Sequence, residues 1–402
     1  MSSVVADALE LRDVIRGLVS GAPESCDFEW RSLPEPSKGP VAYSVEDGGQ
    51  GDRKLRTYTL FAVKAWGANF SDNGQFNSVQ EGFVGLVVPQ GLEPGQRLRL
   101  YRQVLELEVS AKSVARGGIA LFDGTPPMRW GRVGTEVTWG ESLELAARLL
   151  GSHSEALKGL TQGTCTEPDV ECVLDLISNA SRRPLTARAL LRLAAQGGLD
   201  LNSGNGRKII YSVLAMENLE RLYLFKSVVE RAWSQNSIPV FVVKTSRSTS
   251  FCNRNLPDIH VIESALRAKG NLEPGYTVAN VYNSIYDYFG LKESGRSMYP
   301  DVGDLREFYE NRLSVVTAFV RLRRGGYIFK VEVVYDRRAQ GYEQVLREAL
   351  SKLSAIPLTA EGYPLPLLMA DSKARVTSAE MDAALRAVSL DLVPESRSVL
   401  RV

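Results

Sequence analysis

The sequence predicts an α/β protein built on a mixed β-sheet, and three observations carry that expectation. Two apolar runs end in an acid followed by glycine: VAYSVED at 41–47 before Gly48 and Gly49, and IALFD at 119–123 before Gly124. Both read as strands that deliver a carboxylate at their C-terminal tips. A long amphipathic stretch, 211–233, leads into the short apolar run 238–243, as a helix feeding a buried strand does. Two alternating segments, 314–322 and 327–335, are joined across Arg323-Arg324-Gly325-Gly326, a hairpin signal.

Taken in order, residues 5–18 have helical apolar spacing closed by Gly21 and Pro23. The first acid-tipped strand is expected to break at its glycines. Residues 57–68 and 82–88 read as further strands around a polar stretch at 69–78, together an antiparallel meander. Residues 100–115 are ambiguous in period; a helix is expected because the chain must return before the strand at 119–123, which Pro126 and Pro127 close. From 141 to 201 the spacing is helical, the mark of a helical insertion. GNGRK at 204–208 lacks the spacing of a phosphate loop. Residues 261–311 are tyrosine-rich without clean periodicity. A helix at 342–353 precedes GYPLPLLMAD (362–371), read as an extended, proline-punctuated approach to a last helix with Thr377 as N-cap and Glu380 completing a capping box. The expected organisation is an N-terminal helix and linker (1–34), three core segments (35–130, 206–260, 312–402) and two insertions (131–205, 261–311).

Bulk composition excludes several classes. The 402 residues hold 48 Lys plus Arg against 47 Asp plus Glu, a net charge of +1, so any nucleic-acid contact needs a local basic channel. Lys244, Arg247, Arg321 and Arg323 border expected strand ends and are the candidates for DNA binding. Cys26, Cys165, Cys172 and Cys252 form no CxxC pair and do not resemble a disulfide framework, which points to an intracellular protein. No apolar run is long enough to cross a bilayer, and the N-terminus carries acids where a signal peptide would be basic. With His153 and His260 the only histidines, three-histidine metal sites are excluded and a hydrolytic centre must rest on carboxylates or a nucleophile.

Acids from separate elements suit hard divalent ions, and two such ions can activate water and stabilise a leaving oxygen in phosphodiester hydrolysis. Asp47 and Asp123 are the leading ligands, although an acid before glycine is also an ordinary turn signal. Glu106 and Glu108 compete to be a third. Lys244, at a strand end, suits a phosphate or a nucleophilic water.

The order of Asp47-Gly48-Gly49, Phe122-Asp123-Gly124-Thr125, Val243-Lys244-Thr245-Ser246, Phe319-Val320-Arg321-Leu322 and Gly362-Tyr363-Pro364-Leu365-Pro366-Leu367 resembles the NurA nuclease family over about residues 35 to 390. The resemblance implies an RNase H-like mixed sheet with helical insertions and a Mn²⁺- or Mg²⁺-dependent 5′ to 3′ DNase of DNA end processing. It also implies a cytoplasmic homodimer working with the hexameric translocase HerA. It places the metal acids on Asp47, Glu106 and Asp123 and the active-site tyrosine on Tyr363. Two positions depart from the pattern. Gly49 replaces a serine, and Asp371 stands where the family has histidine; an aspartate can still ligate a hard ion, so Asp371 is expected in the metal shell. The alternative is a catalytically weakened DNA-binding or adaptor subunit, and a carboxylate-dependent nucleotidyl-transfer enzyme is a third class.

Overall fold

In the computed structural model, which describes residues 11–12, 26–55, 58–89, 94–129, 139–151, 154–162, 169–197, 199, 206–291 and 299–389, eight strands form one mixed sheet in the order β3-β2-β1-β4-β5-β8-β7-β6. Strands β1 (Tyr43–Lys54), β2 (Thr59–Phe70) and β3 (Phe76–Leu86) are the antiparallel meander. On the other side of β1, β4 (Ile119–Asp123) and β5 (Ile238–Val243) run parallel to it. β6 (Gly275–Tyr282), β7 (Leu313–Arg321) and β8 (Phe329–Asp336) close the sheet as antiparallel neighbours. The α/β class is as the sequence predicts, and the order is compatible with an RNase H-like core.

Alternation in the central strands divides the core. Ala120 and Phe122 of β4 pack with the helical insertion, whereas Ile119 and Leu121 pack with the C-terminal helices. Helix α1 (Pro94–Ser113) returns the chain from β3 to β4 on the first face. The insertion follows as α2 (Trp139–Gly151), α3 (Ser154–Leu157), α4 (Val170–Ser178) and α5 (Leu185–Ala195). These cover α6 (Gly206–Ser234), whose Leu219, Leu222, Phe225 and Val228 are wholly buried. After β5 come α7 (Asp258–Ala268) and the short α8 (Ile285–Tyr288), and a π-helical turn (Glu307–Arg312) precedes β7. The opposite face carries α9 (Tyr342–Ala355), α10 (Leu365–Ala374) and α11 (Ser378–Ala387).

Three expectations are corrected, and the region without clean periodicity gains its elements. Strand β1 does not break at its glycines: it continues to Lys54 because β2 pairs with it along its whole length, and only the parallel ladder with β4 stops, at Glu46 opposite Phe122. The polar stretch at 69–78 is half strand, the ends of β2 and β3, joined by a hairpin turn closed by Ser71 N donating to the Gln75 carbonyl. The mixed region contains α7 and the edge strand β6. Only Gly362 to Pro364 of GYPLPLLMAD form the extended approach; from Leu365 the segment is α10 itself, since prolines at the entry and first turn of a helix cost no hydrogen bond. The cysteine reading is corrected as well. Cys26 is bonded to Cys252 and Cys172 is also disulfide-bonded; cysteines 226 residues apart in sequence meet only through the fold. Cysteine usage therefore gives no argument for a reducing compartment. The helix expected at 5–18 lies outside the described residues except for Leu11 and Arg12.

Candidate metal-binding active site

The site forms where β1 and β4 part company. Their parallel register runs from Tyr43 opposite Ile119 to Glu46 opposite Phe122, and one further step sets Asp47 beside Asp123. Alternation sends both aspartates to the face of α10, with Val45 and Leu121. After Asp123 the chain does turn, at Gly124, whose φ of 93° strongly favours glycine.

Asp123 is held from two remote segments. Lys244 Nζ, at the end of β5, lies 2.7 Å from Oδ2, and the Tyr363 hydroxyl donates to Oδ1 at 3.3 Å. The lysine ammonium also sits 5.0 Å from the centre of the Tyr363 ring. Burial, followed by the charges of Asp123, Asp47 and Asp371, pushes the Tyr363 hydroxyl well above its ordinary pKa, so it stays a donor. The Asp47 carboxylate accepts one hydrogen bond, from Gly48 N at 2.7 Å. Burial first, then the charges of Glu106 and Asp123, raise its pKa to about 7.

Glu106 comes from α1 on the opposite face. A Cβ at Gly48 would stand 2.7 Å from Glu106 Cγ and 2.8 Å from Arg102 Cγ, so glycine lets the helix lay this carboxylate against the strand. Arg102 Nε lies 3.2 Å from Glu106 Oε1; even so, burial raises the pKa of Glu106. Glu108 faces elsewhere, paired with Lys112 at 2.9 Å, so of the two glutamates Glu106 is the one laid against β1. Two charged groups that the motifs do not single out, Arg102 and Glu46, stand at the same edge. The only sequence signal for Glu46 is an acid on the alternation of Ala42 and Ser44, positions that pack inward.

Asp371 lies on α10 and is 40% exposed, its Oδ2 3.2 Å from Arg375 one turn on. Its charge is felt at Asp47 and Tyr363. The capping box on Thr377 and Glu380 is formed, and Lys64 Nζ of β2 reaches Glu380 at 2.8 Å, tying the first turn of α11 to the sheet. Of the basic candidates, Lys244, Arg247 and Arg323 are exposed. Arg321 is a correction: it is 1% exposed, and its guanidinium donates to the Gly326 and Asn271 carbonyls at 3.1 and 3.0 Å, so it braces the hairpin and cannot meet a phosphate.

An oxygen-only donor set of this kind suits Mn²⁺ or Mg²⁺, and the acids repel one another in a way that a cation would relieve. As the side chains stand, Lys244 and Tyr363 engage Asp123 and Arg102 engages Glu106. Among the described residues no three acid, histidine or cysteine side chains form a ready ligand cluster.

The NurA domain model matches residues 46–376, which span every group of this site. The chain belongs to the NurA family. Its fold is shared by the crystal structure of the NurA nuclease from Sulfolobus solfataricus, at 17% identity and a TM-score of 0.60, with 98% of each chain covered. A NurA structure with manganese gives 14% identity and a TM-score of 0.60, covering 98% of this chain and 100% of that one. A NurA structure bound to dAMP and manganese gives 15% and 0.54, covering 98% and 96%. Comparison with curated proteins finds no significant match. The departure from the NurA pattern at Gly49 has a steric reason: a Cβ there would run into the Ala374 carbonyl at the end of α10.

Proposed function

We propose that this NurA protein is a divalent-metal-dependent deoxyribonuclease that trims DNA ends 5′ to 3′ during end resection, as a cytoplasmic homodimer beside a hexameric HerA-type translocase. The observation that carries the reading is the meeting of Asp123 with Lys244 and Tyr363 at the edge where Asp47 and Glu106 also arrive. Asp47, Glu106 and Asp123 would hold Mn²⁺ or Mg²⁺, with Asp371 at the rim. The bound ion supplies Lewis acidity toward a phosphoryl oxygen and a water of lowered pKa. Lys244, once released from Asp123, pairs with the scissile phosphate, and the Tyr363 hydroxyl keeps Asp123 oriented. Arg247 and Arg323 neutralise flanking phosphates. A cavity of about 460 Å³ opens beside Lys244 and Tyr363, with Tyr327, Phe329 and Leu368 in its walls, and supports stacking of a terminal base.

End-labelled DNA with Mn²⁺ tests this. The wild type should cleave, Asp47→Ala should lose about a thousandfold or more in rate at unchanged fold, and 5′ against 3′ label reads the polarity. Equal cleavage by Asp47→Ala overturns the reading. The pairing of Asp371 with Arg375 favours the second reading, a weakened subunit that binds DNA and the translocase without cutting; binding without cleavage at any Mn²⁺ concentration would establish it.

A further inference from the structure

We propose that Glu46 is a divalent-cation ligand of this site, forming with Glu106 an oxygen pair on the α1 side of the sheet edge, opposite the pair made by Asp47 and Asp123. The proposal rests on the metal-dependent reading above and adds a residue that the NurA pattern does not supply.

Glu46 is the last residue of the parallel ladder between β1 and β4, opposite Phe122. Strand alternation places it on the same face as Gly48, against which α1 lays Glu106. It is only 5% exposed, and its Oε2 is enclosed without any hydrogen-bond donor. Other buried acids of the fold have donors on at least one oxygen; Glu217, whose Oε2 is also enclosed without a partner, has Arg97 and Tyr101 on Oε1. Glu332 meets Lys330 at 2.9 Å and the Tyr288 hydroxyl at 3.2 Å. Asp258 accepts from Ser248 Oγ at 2.8 Å and from the Cys252 amide at 2.9 Å. Glu220 accepts from Arg183 and from the amides of Leu185 and Thr186.

A carboxylate withdrawn from water needs a cation or hydrogen-bond donors to offset its lost hydration. Around Glu46 the neighbours are instead other carboxylates, on a strand whose next residue is Asp47. Among the described residues the cation felt at Glu46 is Arg102, which is itself paired with Glu106 at 3.2 Å. A hard divalent ion accepts oxygens from several acids at once, which no single guanidinium does. A two-ion site needs oxygen donors for each of two ions about 3.5–4 Å apart, and a carboxylate pair on each side of this strand end would divide the donors between them.

The test is Mn²⁺ uptake by the full-length chain without DNA, read from the electron paramagnetic resonance signal of free Mn²⁺, with circular dichroism to verify folding. The wild type is expected to take up two ions per chain. Glu46→Gln, which keeps shape and removes charge, should lose one of them or bind it at least tenfold more weakly. Glu46→Asp, which keeps charge but shortens the reach, should fall between, and Asp47→Asn should impair the other ion. Wild-type stoichiometry and affinity in Glu46→Gln, with Asp47→Asn impaired, overturn the proposal and leave the metal-dependent reading intact. No uptake by the wild type overturns both. If Glu46→Gln does not fold, Glu46→Asp decides, and wild-type uptake by it counts against the proposal.

Discussion

Helix α1 carries charge into two buried regions that handle it in opposite ways. Near its N-terminus, Arg97 donates to Glu217 Oε1 from Nε at 2.9 Å and from its terminal nitrogen at 2.7 Å, and Tyr101 donates to the same oxygen. The remaining Arg97 donors take the Val88 and Pro89 carbonyls at 2.7 and 3.0 Å. Further along the same helix, Glu106 lies within electrostatic reach of Glu46, Asp47 and Asp123, with Arg102 as its own cation. The first region has a cation for its carboxylate and joins α1 to α6. The second gathers more carboxylates than cations, which costs stability and makes sense where a positively charged ligand arrives later.

The largest expected effect that would break this contrast lies in the paired region. Glu217→Gln leaves Arg97 buried without its counter-charge and should cost about 3–5 kcal/mol in denaturant unfolding. A loss below about 1 kcal/mol would mean that the pair does not carry the α1–α6 junction.

At the sheet edge the sign reverses. The folded-state pKa of Asp47 is about 7 against an ordinary 3.8. Folding therefore favours the protonated form, and this contribution is present at low pH and lost as pH rises through 7. Metal-free protein should lose ~2–4 kcal/mol from this group between about pH 4 and 8. Asp47→Asn should flatten that slope and leave the variant more stable than the wild type at pH 8. A wild-type slope in the variant, in urea melts across pH, would remove Asp47 as its source.

The smallest effect concerns the rim. Asp371→Asn should lower cleavage about tenfold at limiting Mn²⁺, in the range of groups that support a metal site from outside, with little change in melting temperature. Equal rates for the two proteins would assign Asp371 to its helix-surface pair with Arg375 alone.

Much of this was legible from local pattern. β4 and β5 have the predicted bounds, and the Thr377 and Glu380 capping box is formed, because alternation, apolar runs and caps act over a few residues. The acids Asp47 and Asp123 could be named because strand-then-acid-then-glycine is also a local signal. Other features were not legible. The sequence showed Pro364 and Pro366 but not that their segment is helix α10, since packing against the sheet outweighs the extended preference before proline. It showed four cysteines but not the bond from Cys26 to Cys252. It named Arg321 for DNA, whereas the hairpin and the Asn271 carbonyl bury it. Chemistry alone left Glu106 and Glu108 in competition, the family resemblance favoured Glu106, and the seating of α1 over Gly48 brings Glu106 and not Glu108 to the strand.

The sequence by itself determined the elements and the chemical character of the site: oxygen donors, almost no histidine, near-zero net charge. Only the tertiary structure decided which acids meet and which stay paired elsewhere. The reason is range. Secondary structure follows from neighbours along the chain, whereas the environment of a carboxylate is set by groups hundreds of residues away, as the Tyr363 hydroxyl on Asp123 is.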